Sequence, residues 1–76
     1  MELCSIAYYK YEKELVFIPL VYIVLQETDP NGMHRLYYIK KDAIRPDEVI
    51  ELVLTPEQKE SLVLIGAENE QKTTNI

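Results

Sequence analysis

Residues 15–25 read LVFIPLVYIVL, eleven apolar side chains in succession with Pro19 among them. Side chains of a strand alternate between its two faces. In this run Leu20, Tyr22 and Val24 fall on one side and Val21, Ile23 and Leu25 on the other, so both faces are apolar. A strand of that kind has to be covered on both faces. The run is well short of the roughly 20 residues that a membrane-spanning helix requires, which makes it a core element. Pro19 has no amide hydrogen and therefore marks a bulge, an edge position or a break, and residues 20–26 form the better strand. Glu2, Lys10, Glu12, Lys13 and Glu14 precede the run and no small-residue cleavage site follows it, so no secretory signal is expected.

Covering two faces is demanding for a chain of 76 residues, which has room for one sheet and a helix and none for a second domain. One helix covers one face. A symmetric second copy is the economical cover for the other, because two-fold dimers are the commonest oligomers, and Leu20, Tyr22 and Val24 are the candidate dimer contacts. The alternative is a strongly coiled sheet that closes on itself as a small SH3-like barrel.

The remaining elements follow from local signals. Residues 3–9 (LCSIAYY) are rich in strand formers and run into the charged KYEKE, which suits a first strand and a tight connection. Asp29-Pro30-Asn31-Gly32 is a hairpin turn, joining the long apolar strand to residues 33–40 (MHRLYYIK) as its antiparallel neighbour. A connection around Pro46 leads to residues 49–54 (VIELVL), whose periodicity fits helix or strand; the clustered β-branched residues favour a fourth strand. Thr55-Pro56-Glu57-Gln58 supplies an N-cap hydroxyl, proline at the first helical position and glutamine at the capping-box position. The helix is expected over residues 56–65, with Gly66 as its stop. The fold class is α+β: an antiparallel sheet of three to four strands in β-β-β-β-α order over residues 1–66, followed by a flexible polar tail over 67–76.

Charge is unevenly distributed. Residues 1–46 hold six acids and six bases, whereas residues 47–76 hold seven acids and two bases, so the whole net charge of −5 comes from the last thirty residues. Asp47, Glu48, Glu51, Glu57 and Glu60 are the candidate contacts to a basic partner surface, or an imitation of a phosphate track; their ordinary role is a solvated face.

Chemistry has few candidates. The single Cys4 closes no internal disulfide, and with the single His34 it falls short of a zinc ligand set. A reducing, cytoplasmic setting follows as the expectation. Cys4 reads as a small buried hydrophobe and His34 as a solvated residue at a strand end, which gives no nucleophile–base pair. With glycine only at 32 and 66 there is no phosphate-cradling loop. No cofactor, metal or catalytic activity is expected.

The tyrosines suggest something else. Four of the six form the adjacent pairs Tyr8-Tyr9 and Tyr37-Tyr38, and alternation places one ring of each pair on each face. Tyr9, Tyr37 and Tyr38 with Arg35, Lys40 and Lys41 are the candidate platform for single-stranded nucleic acid. Ordinary cross-strand pairing is the more common role of such residues, and net acidity opposes phosphate binding. The leading expectation is therefore a non-enzymatic protein-binding module, a small acidic inhibitor or adaptor acting as a homodimer. Virus- and plasmid-encoded regulators of host enzymes share this composition.

Overall fold

The computed structural model describes residues 2–43, 45 and 47–66. The expected polar tail over 67–76, and Pro46 in the connection before the fourth strand, lie outside the described residues. The elements are β1 (Glu2–Tyr11), β2 (Glu14–Thr28), β3 (His34–Lys40), β4 (Ile50–Leu54), α1 (Pro56–Glu60) and β5 (Val63–Ile65). They form a small, wholly antiparallel sheet in the order β4-β3-β2-β1-β5, with one short helix.

β2 organises the sheet. It pairs with β1 from Glu14 opposite Tyr11 to Ile18 opposite Ile6 and again from Val21 opposite Cys4 to Ile23 opposite Glu2, and with β3 from Val21 opposite Lys40 to Thr28 opposite His34. Register shifts interrupt the ladders at Pro19–Leu20 and at Val24. The proline expected to mark a bulge does so: residues 19 and 20 have no partner on β1, so the missing amide hydrogen breaks no ladder bond. Leu20 takes a φ of 51°, the left-handed region, and is the only non-glycine residue to do so among those described. Each extra residue reverses which side chains share the core face, from Val16 and Ile18 to Val21 and Ile23 and then to Gln26 and Thr28, which stand opposite Leu36 and His34 but remain exposed.

The turn between β2 and β3 is built as the sequence indicates. Asp29 accepts the amide hydrogen of Gly32 at 2.9 Å on its carbonyl oxygen, and Gly32 sits at φ 89°. The Asp29 carboxylate also accepts the amides of Asn31 and Met33 at 2.9 and 3.0 Å and pairs with Arg35 at 2.7 Å. The Arg35 bond, aided by these amides, holds its carboxyl below the usual range.

The core lies within the curve of the sheet. Ile6 and Tyr8 of β1, Val21 of β2, Leu36 and Tyr38 of β3 and Leu54 of β4 are buried together, with Val16, Ile18, Ile23, Leu52, Leu62 and Leu64 packed around them. Residues 50–54 are a strand because Leu52 and Leu54 point into this core beside Leu36 and His34.

Three expectations about order and extent are corrected. The helix ends at Glu60 and not at residue 65: Ser61 caps it by donating both its amide and its hydroxyl to the Gln58 carbonyl, at 3.1 and 2.9 Å. Residues 63–65 then form a fifth strand, because Val63, Leu64 and Ile65 find partners in Ala7, Ile6 and Ser5. Gly66 accordingly closes a strand and not a helix. With β5 on one side and β2 on the other, β1 is an interior strand, and β4 and β5 are the edges of the sheet.

Candidate functional site

α1 is a single turn, fixed at both ends of its contacts. Thr55 accepts the Gln58 amide at 3.2 Å and Gln58 Oε1 accepts the Thr55 amide at 3.0 Å, a reciprocal capping box. The other half of the Gln58 amide donates from Nε2 to the Lys10 carbonyl at 3.1 Å, and Ser61 Oγ accepts the Tyr9 amide at 2.9 Å. Two bonds thus tie the helical turn to the end of β1, across 48 and 52 residues of chain.

Between these tied walls runs a groove of about 450 Å³, lined by Tyr9, Lys10, Tyr11, Glu12, Glu57 and Gln58 among others. Tyr9 and Tyr11 are 49% and 65% exposed, so both rings are open to a ligand. Lys10 Nζ lies 5.7 Å from the centroid of Tyr11, which shows the ring accepting a cation. Glu12 and Glu57 are exposed acids, with no ion pair among the described residues. Aromatic faces, carboxylates and pre-fixed walls are what an extended, arginine-bearing peptide needs.

The candidate acids are dispersed by the fold. Asp47 pairs with Arg45 at 3.6 Å, and Glu51 accepts the Tyr37 hydroxyl at 3.1 Å and lies 3.7 Å from Arg35. Glu48 borders a hollow with Val49 and Ile50 before β4, whereas Glu57 and Glu60 sit on α1 after it. Only Glu57 of the five lines the groove. Tyr9, Tyr11 and Glu12 were not among the acidic contacts read from the sequence; the signal available was the charged turn joining β1 to β2, but its meeting with α1 depends on the fold.

The candidate nucleic-acid residues do not assemble. Tyr38 is buried in the core, where burial, with Tyr8 nearby, pushes its hydroxyl pKa up, so its ring offers no stacking surface. Tyr37 is tied to Glu51, which raises its pKa, and Arg35 is already neutralised by Asp29 and Glu51. Tyr9 stands opposite Leu15 and Tyr37 opposite Leu25, far apart along β2. Lys40 and Lys41 border another hollow, of about 470 Å³, with Phe17, Pro19 and Leu20. Of the candidate dimer contacts Leu20 and Val24 are exposed and Tyr22 is half-buried.

His34 is not the solvated strand-end residue expected from its place next to the turn. It is 5% exposed, its Nε2 donates to Gln26 Oε1 and its Nδ1 accepts from the Thr28 hydroxyl, both at 2.9 Å. Both ring nitrogens are satisfied in the neutral form. Burial, with Lys59 adding to it, holds the pKa below 6.5. Cys4 is buried as expected. It stands level with Val21 while His34 stands level with Thr28, so the two do not meet. No cluster of three or more His, Cys, Asp and Glu residues suited to a metal occurs among the described residues, and no described helix is long and apolar enough to cross a membrane.

Comparison with protein-family models, with curated proteins and with solved structures finds no match to this chain.

Proposed function

We propose that the protein is a non-enzymatic binding module that takes a basic, extended segment of a partner protein into the groove between the β1–β2 turn and α1. The observation that carries this reading is the convergence of two exposed tyrosine rings with Glu12 and Glu57 between walls fixed by Gln58 and Ser61. A rigid groove lowers the ordering cost of binding, and carboxylates beside aromatic faces select a guanidinium over an anion. A small SH3-like barrel is the fold this reading adopts; the order β4-β3-β2-β1-β5 and the helical turn before the last strand support it. An inhibitor or adaptor role in a reducing compartment follows the same composition as before.

A fluorescein-labelled peptide of alternating Arg and Pro tests the reading by anisotropy, with its Asp-Pro counterpart as control. The Arg-Pro peptide is expected to bind, to weaken on adding salt, and to lose about tenfold in affinity on Glu57→Lys or Tyr11→Ala. Equal binding of both peptides, or no binding of either at low salt, would exclude it.

A further inference from the structure

The outer face of β5, β1 and the first part of β2 carries an unusual concentration of exposed apolar side chains. Directly opposed residues of antiparallel strands share a face. Val63, Ala7 and Phe17 therefore stand in one row, and Leu15 stands in the next beside Tyr9. Ile65 is opposite Ser5, whose hydroxyl receives the Leu20 amide, and Leu20 and Phe17 border one hollow. Leu15, Phe17, Leu20, Val63 and Ile65 are each close to half exposed, between 46% and 57%. None of these five positions is charged.

We infer that this face, centred on Phe17, is a two-fold contact with a second copy of the chain. Five half-exposed large side chains and the neighbouring Tyr9 present on the order of 500–600 Å² per copy, the upper end of what a soluble monomer leaves in one patch and a size at which such patches often serve in binding. Two such faces together remove on the order of 1,000–1,200 Å², which meets the lower limit for a specific interface. The charged neighbours Lys40, Lys41 and Asp42 stand only at the border of the face, beside Phe17 and Leu20, so the rows from Leu15 to Ile65 give a partner of opposite charge nothing to recognise. A second copy supplies the same apolar surface, which meets itself across a two-fold axis. The area sets the strength: near that lower limit the dimer is weak and its population depends on concentration. The net charge of −5 opposes the contact from outside it, so salt strengthens it. This is the reverse of the salt dependence of the groove, so the two surfaces, which share Tyr9 at their border, are told apart by salt and by substitutions at Phe17 and Tyr11.

Sedimentation equilibrium of the full chain, from about 1 µM to about 500 µM at low and high salt, tests the inference. The expected result is a monomer–dimer equilibrium that tightens with salt. Phe17→Lys is expected to weaken it at least about tenfold with an unchanged circular dichroism spectrum, while Tyr11→Ala leaves it unaltered. Leu15→Lys serves the same purpose should Phe17→Lys not fold. A monomer throughout the concentration range overturns the inference. So does a dimer indifferent to both lysine substitutions.

Discussion

Ser5 Oγ accepts the amide hydrogen of Leu20 at 3.1 Å, and so one hydroxyl on β1 occupies the gap that the bulge opens in the β1–β2 ladder. Leu20 holds a left-handed φ that costs a leucine free energy, and the bond from Ser5 helps to offset it. Ser5→Ala removes the acceptor from a partly buried amide and is expected to lower unfolding free energy by about 1 kcal/mol. Urea denaturation checks this, and an unchanged midpoint would mean that the bulge holds without the serine.

Gly66 closes β5 against β1. A Cβ there would meet the Leu3 carbonyl oxygen at 2.7 Å and the Cys4 Cβ at 2.8 Å, so backbone has to move. Gly66→Ala is expected to destabilise the fold by about 1–3 kcal/mol. Hydrogen exchange should show the loss first at Val63–Ile65, and equal protection in both proteins would contradict the close approach.

His34 makes stability depend on pH. Its folded pKa lies below 6.5, so the fold favours the neutral ring while the unfolded chain takes up a proton once pH drops below 6.5. The contribution is complete above that value and is lost as pH falls from 6.5 toward the folded pKa. Thermal melts between pH 7.5 and 5 should show the decline, and His34→Gln should flatten it. An NMR titration in which the His34 ring protonates at 6.5 or above would contradict the buried, doubly bonded imidazole.

Gln58 joins helix start, β1 and groove in one side chain. Gln58→Glu retains an oxygen for the Thr55 amide but loses the donor to the Lys10 carbonyl, so the capping box survives and the tie to β1 does not. The Arg-Pro peptide is expected to bind about 3–10-fold more weakly, although a carboxylate has been added beside the groove. Tighter binding would show that charge outweighs the fixed position of α1.

Local chemistry made much of the fold legible before any coordinates. Asp29–Gly32, the Thr55 cap, the break at Pro19 and the opposed faces of each tyrosine pair all depend on a few adjacent residues. Val63–Ile65 did not, because three β-branched or aliphatic residues after a helix start suit another helical turn until β1 offers a ladder. His34 was misplaced for a related reason: its burial comes from the second bulge, which turns Gln26 and Thr28 onto its face of the sheet to receive it. The groove combines β1 with α1 across some fifty residues of chain, a meeting that no spacing in the sequence records.

The two bulges of β2 also determine where this strand tolerates a change of length. Deleting Leu20 would leave Ile18 and Val21 in simple alternation, and deleting Val24 would do the same for Ile23 and Gln26, each still directed as it is now. Deleting a residue between them, such as Tyr22, would instead turn the side chains up to the next irregularity outward and bring the outer ones into the core. The apolar run is thus three short strands spliced end to end, and its splices are the points at which the strand can lose a residue without turning its neighbours over.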